Sequence, residues 1–291
     1  MKPKCVLITG TSSGLGKELV HTLSEAGFFV IATARLKSVE TAKKAFKLLK
    51  NVVVYPLDIT QMHTHKSFIS QMVMAHGAID ILINNAGIAY RSVFEHISEE
   101  EENHQMTTNY LGAMELTRCV IPFMREKKSG HIINVSSVGG MMAMPTMAAY
   151  CASKFALEGA TESLWYELRP WNIYVSLVEI GFVKSKSFTH IYFPKQYLSG
   201  LDNTYDLYYK HMERFVAKMM LSSPSTPHTI SKRILKKLIL RKHPPLRLSG
   251  TWDAKFFFYM RRYIPRRLYH YILYKCLPGI KEWERNARND K

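Results

Sequence analysis

The chain holds 291 residues, 47% of them apolar, which allows a sizeable core in one large or two small domains. Lys and Arg number 40 against 23 Asp and Glu, a formal charge of +17 that implies attraction to something anionic: a phosphorylated cofactor, an acidic lipid surface or nucleic acid. Cys5, Cys119, Cys151 and Cys276 are scattered without metal-ligand spacing, the first apolar run stops too early for a secretory signal, and no run is long enough to span a membrane. A globular chain with reduced thiols, no bound metal and a cytoplasmic setting is expected.

Cys5 to Thr9 is a short apolar, β-branched run that leads into Gly10-Thr11-Ser12-Ser13-Gly14-Leu15-Gly16, after which Leu19, Val20 and Leu23 recur at helical spacing. The order is strand, turn, helix. Glycines at such a turn let the backbone approach a ligand, and the helix start offers free N–H groups and a positive dipole end to a pyrophosphate, with Ser12 and Ser13 as added donors. Phe28 to Ala34 is the second strand, with Arg35 directly after it. In a βαβ unit that place lies beside the adenosine ribose, where a guanidinium holds a 2′-phosphate and an acid would repel it. NADP is therefore favoured over NAD, although NAD stays open as an alternative.

Val52 to Pro56 reads as a third strand ending at Leu57-Asp58, and Ile79 to Ile83 as a fourth ending at Asn84-Asn85-Ala86-Gly87. Asp58 is open to two readings, an acceptor for an adenine amino group or a cap for the helix that begins near Gln61. The paired amides and glycine suit a strand end that bridges its neighbours and meets a ribose. One long helical stretch from about Ser98 to Lys127 carries Asn109 in its middle. His131 to Val135 is a fifth strand, closed by Ser136-Ser137-Val138-Gly139-Gly140. Tyr150 and Lys154 follow, four residues apart and so on one helical face, where an ammonium can stabilise a phenolate and lower its pKa. Ile173 to Val178 forms a sixth strand. Alternating strands and helices imply a doubly wound parallel sheet of the Rossmann type that binds ligands at its carboxyl edge.

Thr9-Gly10-x-x-x-Gly14-x-Gly16, Asn84-Asn85-Ala86-Gly87, Asn109, Ser137 and Tyr150-x-x-x-Lys154 together resemble the short-chain dehydrogenase/reductase family, over about residues 4–181. The run from Tyr150 to Gly159 is similar to the branch holding 17β-hydroxysteroid and retinol dehydrogenases. The resemblance implies that Tyr150 is the general acid/base for hydride exchange between nicotinamide and an alcohol/carbonyl pair, and that Ser137 binds the same oxygen. Lys154 would lower the Tyr150 pKa and bind the nicotinamide ribose. Asn109 would hold a water linking Lys154 to solvent. The implied cofactor contacts are Gly10, Ser12, Ser13, Gly14, Leu15, Gly16, Arg35, Asp58, Asn85, Ala86, Gly87, Tyr150, Lys154, Gly181, Val183 and Ser185. Two positions depart from the pattern: Ile180 stands where the family usually has proline, which loosens a rigid turn, and Ser13 stands where NADP-preferring relatives often carry a basic residue. Family members pack the helices around Asn109 and Tyr150 between subunits, which implies a homodimer or tetramer.

From 182 to 222 the pattern fades into bulky apolar residues, Phe188, Ile191, Tyr192, Phe193, Tyr197, Leu201, Tyr205, Leu207, Tyr208 and Phe215, at the family's substrate lid. They suit either the lining for an apolar alcohol or ketone or ordinary packing. Pro224 to Leu240 reads as a helix and Leu246 to Leu248 as the last strand, closing a catalytic domain over 1–250. An extension over 251–291 interleaves Phe and Tyr with Arg, which suits a helix in the interface of an acidic membrane or one packed on the parent domain. Nothing resembles a nucleic-acid reading motif, so no nucleic-acid partner is expected. A cofactor sensor or scaffold without turnover is the alternative to an enzyme, and intact Ser137, Tyr150 and Lys154 argue against it.

Overall fold

The computed structural model describes residues 3–185, 191–200 and 203–289. Phe188 and Leu201, two of the expected lid residues, lie outside these.

Strands β1 (Cys5–Ile8), β2 (Phe29–Ala34) and β3 (Val52–Pro56) alternate with helices α1 (Gly14–Glu25) and α2 (Leu36–Phe46). Then come α3 (His65–His76), β4 (Ile81–Asn84), α4 (Glu99–Met106), α5 (Gly112–Glu126), β5 (Gly130–Ser137), α6 (Ala148–Leu168) and β6 (Ile173–Ile180). The strands form one parallel sheet in the order β3-β2-β1-β4-β5-β6-β7, with β7 at Arg247–Ser249. The order reverses between β1 and β4, which opens a crevice at their carboxyl ends.

Both faces of the sheet are buried, and so the strands read as continuous apolar runs. Val6 and Ile8 point to the layer holding Leu19, Val20 and Leu23 of α1, while Cys5 and Leu7 point to the layer holding Ile69, Leu116 and Val120. Leu7 is fully buried, and truncating such a side chain to alanine costs about 2–5 kcal/mol.

The stretch expected as one long helix is two. A capping box at Ser98 and Glu101 starts α4, and a π-helical turn over Thr107–Leu111 separates it from α5. Asn109 sits in that turn, its side chain bonded outside the helix, and this tertiary pull widens the turn. The helix expected from Pro224 starts at Pro227 instead, because Thr226 caps it, and it passes into a second π-turn at Leu235.

Beyond β6, α7 (Lys195–Leu198), α8 (Asp206–Ser222) and α9 (Pro227–Ile234) lead back to β7, and α10 (Trp252–Tyr263), α11 (Arg266–Lys275) and α12 (Ile280–Asn289) close the chain. Ala254 and Tyr269 pack on Val138, Met141 and Met142. Trp283 stacks on Tyr208 of α8 with ring centroids 4.0 Å apart. The tail is therefore fastened over the end of the sheet that carries the crevice.

Candidate active site at the carboxyl edge of the sheet

A cavity of about 1190 Å³ opens along this edge, lined from the glycine turn at one end to α10 and α11 at the other. Gly10, Ser12, Ser13, Gly14, Leu15 and Gly16 all line it. Gly10 has φ +70°, and a Cβ there would come 2.8 Å from Ala86 Cα, so only glycine lets the β1 and β4 loops meet. Ser13 makes no side-chain cap to α1, and no acid stands in its first turn. The open N–H groups and positive helix end therefore fit a pyrophosphate.

The loop after β4 is locked from both sides. Asn84 donates to Asn134 Oδ1 (2.8 Å) and Thr117 Oγ1 (2.9 Å), while Asn85 Nδ2 donates to Thr9 O (2.9 Å) and Gly10 O (3.1 Å). Thr9 Oγ1 accepts from the amides of Asn85 and Ala86, each at 3.0 Å. A Cβ on Gly87 would lie 3.3 Å from Asn109 Oδ1 and 3.8 Å from Lys154 Nζ. Asn109 is almost fully buried and exchanges two bonds with Ile88, accepting from its N–H (2.9 Å) and donating to its carbonyl (3.0 Å). Its Nδ2 also donates to Ser153 Oγ (3.0 Å), which in turn donates to Tyr150 O (2.7 Å). The loop is thus tied to the tyrosine helix.

Tyr150 lies near the start of α6, and its phenol and the Ser137 side chain line the same cavity, Ser137 acting to lower the phenol's pKa. Ser137 Oγ accepts from Gly139 N (3.1 Å). A Cβ on Gly139 would come 2.8 Å from the Tyr150 ring, so that glycine makes room for the phenol. Ser136 turns away and donates to Glu158 Oε1 (2.7 Å), within a network in which Arg247 pairs with Glu158 and Glu179. Lys154, buried on the same helix, donates to Val135 O (2.9 Å).

Lys154 is expected to lower the Tyr150 pKa, but the phenol stands above its ordinary value. Burial pushes it up to about 12, outweighing the downward pull of Ser137. Burial likewise pushes Lys154 down to about 8, against the pull of Glu158. Burial shifts both groups toward their neutral forms because protein replaces water around them, although Lys154 at about 8 stays mostly charged at neutral pH.

Arg35 caps α2 at the end of β2, exposed at the cavity edge with Ser38 and Thr41. Asp58 Oδ1 accepts from Thr60 N (3.0 Å) and Thr60 Oγ1 (2.7 Å). It makes a turn of its own rather than a cap at Gln61, where the following 3₁₀ turn has no side-chain cap. Burial would raise its carboxyl, but those bonds and the nearby Arg35 hold it below its ordinary value.

Gly181, Val183 and Ser185 line the cavity at the end of β6. Without proline the turn is held from the tail: Gly181 N donates to Thr251 Oγ1 (2.9 Å) and Phe182 N to Asp253 Oδ2 (2.8 Å). Thr251 is also the cap of α10. Sequence reasoning missed Thr251 and Asp253, and it named Thr9 and Gly139 in their motifs without the contacts they make. A Thr followed by Asp at a helix start was the legible signal for the first two, but its use on a distant turn was not.

The expected lid aromatics divide between two roles. Ile191, Tyr192 and Phe215 line the cavity with Met212, Met219 and Met220. Tyr197 instead stacks on the buried Tyr209 at 3.9 Å and Tyr208 on Trp283, and these rings hold the lid together.

A parallel sheet of this order flanked by helices is a Rossmann-type fold. Residues 4–193 match the family model for short chain dehydrogenase, and the chain belongs to the short-chain dehydrogenase family as an oxidoreductase. It is 32% identical over 94% of its length to a 3-ketodihydrosphingosine reductase of Bacteroides thetaiotaomicron, covering 97% of that protein. A short-chain dehydrogenase from Streptomyces avermitilis superposes with a TM-score of 0.78 at 27% identity, over 99% of both chains. ElxO with NADP bound superposes at 0.67 and 25% identity, over 86% of this chain and 95% of that one.

Proposed function

We propose that this oxidoreductase interconverts an apolar alcohol and its ketone or aldehyde, with NADP(H) preferred over NAD(H). The observation that carries the reading is that Ser137, the Tyr150 phenol and a buried Lys154 line one cavity at the carboxyl end of a parallel sheet. The cofactor supplies or accepts the hydride at its nicotinamide. Tyr150 delivers a proton to the substrate oxygen, or removes it, and Ser137 donates to the same oxygen and steadies its developing charge.

Lys154, released from Val135 O, is within the same pocket to bind ribose hydroxyls and to favour the phenolate. Ionising Tyr150 at neutral pH needs that help, since burial alone holds its pKa at about 12. Asn109 fixes the Ile88 backbone and supports a water path to Lys154. Arg35, with Ser38 and Thr41 beside it, offers cationic and hydroxyl donors for a 2′-phosphate. A solved relative that holds NADP supports this preference.

The apolar lining and the keto group named for the Bacteroides relative support a lipid-like carbonyl substrate. Along α10, Trp252, Phe256, Tyr259 and Tyr263 recur at one helical face and are all exposed, Trp252 and Tyr263 at 72%. Phe256 also lines the cavity, so this stripe with Arg261 and Arg262 suits docking on an acidic lipid surface at the substrate entrance. No helix among the described residues is long and apolar enough to cross a membrane. Exposed Leu111, Phe155 and Tyr166 near the α4–α6 layer support a homodimer or tetramer. We assign residues 1–250 to the catalytic unit, with its lid over 182–222, and 251–291 to an extension that serves it.

The test is consumption of NADPH and NADH by the purified protein against steroid, retinoid, fatty and small aromatic carbonyls. Turnover of an apolar carbonyl with NADPH is expected; tight cofactor binding with no turnover across the panel, or equal use of NADH, would remove the corresponding part of the reading.

A further inference from the structure

Arg91 lines the cavity yet is only 2% exposed. Its guanidinium carries five N–H donors. Among the described residues it makes one hydrogen bond, from Nη1 to Thr146 Oγ1 (3.2 Å), and no ion pair. The carboxylate that acts on it from a distance is Glu213, which is exposed on α8. Burying an arginine without a carboxylate partner is costly, and protein arginines stay charged.

The backbone around it is held on both sides. Arg91 N donates to Tyr192 O (2.8 Å) and Ser92 N to Thr146 O (2.8 Å). Thr146 itself has φ +62°, a left-handed conformation that a β-branched residue adopts under strain. Two residues later α6 begins, with no acidic residue in its first turn, and Tyr150 follows. A cation short of partners therefore faces the cavity beside the start of the tyrosine helix. Apolar side chains, among them Met142, Met144, Met212 and Phe215, line the same cavity.

We propose that Arg91 binds an anionic oxygen group, a carboxylate or its like, carried by an otherwise apolar substrate. The substrate class becomes an amphipathic oxo or hydroxy acid rather than a neutral lipid. This rests on the reading of the cavity as a substrate pocket. A guanidinium pairs with a carboxylate through two parallel bonds, and in a buried site salt screens that pairing little.

The experiment separates binding from turnover. With NADP⁺ saturating, decanoate and methyl decanoate are titrated by calorimetry into the wild-type protein and into Arg91→Met and Arg91→Lys. The wild type should bind decanoate roughly tenfold to hundredfold more tightly than the ester, as a charge-assisted bond allows. Arg91→Met should erase that preference by weakening decanoate alone, and Arg91→Lys should keep part of it. Equal binding of acid and ester by the wild type, or a preference that survives in Arg91→Met, overturns the proposal. If Arg91→Met fails to fold, Arg91→Lys decides: an acid preference as large as in the wild type argues for a general positive field and against a guanidinium site. A decanoate preference with no NADPH oxidation on any carbonyl would instead sink the reductase reading and leave this site standing.

Discussion

The two ends of the cavity are built from different kinds of structure. At the glycine-turn end, Gly10 to Gly16, Asn84 to Gly87 and Ser137 sit on or directly after strands of the sheet, and bonds between the side chains of Thr9 and Asn85 and neighbouring backbone tie the β1 and β4 loops together. At the substrate end, residues come from α8, α10 and α11 and from the loop that carries Arg91, joined by ring stacking and side-chain contacts. The first end depends on register, which a parallel sheet buried on both faces enforces. The second depends on packing between elements far apart in sequence, which leaves it freer to vary with the substrate. Thr251 and Asp253 connect the two ends, because they hold the turn after β6 from the start of the tail.

The largest effect should come from the centre of the cavity. Tyr150→Phe should cut kcat about a thousandfold while cofactor binding by fluorescence titration stays within a few-fold, as removal of a general acid/base requires. A mutant that turns over normally would separate Tyr150 from the chemistry altogether. Next, Arg35→Ser tests the cofactor end alone: kcat/KM with NADPH should fall on the order of a hundredfold and with NADH hardly change. An equal loss with both cofactors would mean that Arg35 serves the fold of the turn instead.

Asp253→Ala tests the link between the ends. Freeing the Phe182 amide should raise the KM for cofactor about tenfold, from one lost charge-assisted bond, with a smaller change in thermal stability. No change in KM would show that the tail holds the turn without influencing the nicotinamide end.

The smallest expected effect concerns stability and has a defined sign. Lys154 titrates at about 8 in the fold against an ordinary 10.5, so the unfolded chain binds the extra proton between those values. Stability from this group therefore rises with pH across that window, and below about pH 8 the buried ammonium is a net cost. Lys154→Met should abolish turnover yet raise the unfolding free energy of the cofactor-free protein below pH 8. The gain should be at most about 3 kcal/mol, less what the orphaned Val135 carbonyl costs, and should fade toward pH 10.5. Tyr150 acts in the opposite sense: protonated up to about 12 in the fold, it loses its contribution as pH climbs from 10 to 12. Chemical denaturation at several pH values measures both.

The strands were legible from β-branched runs because burial on both faces makes the signal continuous, and their parallel arrangement followed from alternation with helices. Bounds moved by a residue or two, as at β4, which starts at Ile81 rather than Ile79. The sequence also carried the glycine turn, the amide pair and the Tyr-x-x-x-Lys spacing, since each is a local pattern in which residue type and position are set by backbone geometry. It did not carry the π-turn at Asn109, which arises from bonds to Ile88, a loop residue 21 positions away. It carried neither the upward shift of Tyr150 nor the partner of Lys154, because burial and the nearest acceptor belong to the assembled core.

Arg91 shows the same division most plainly. In the sequence it follows Tyr90 as one of many arginines, and nothing local marks it. Only the tertiary structure buries it in the cavity with, among the described residues, one hydroxyl bonded to its guanidinium, because Tyr192 and Thr146 close on its backbone from distant segments. The sequence by itself determined the sheet, the glycine turn and the Tyr-x-x-x-Lys spacing, all of which are periodic or short-range. Tertiary structure alone decided which charges lost their water and which loops came to face one another, since desolvation and contact exist only once the chain is packed.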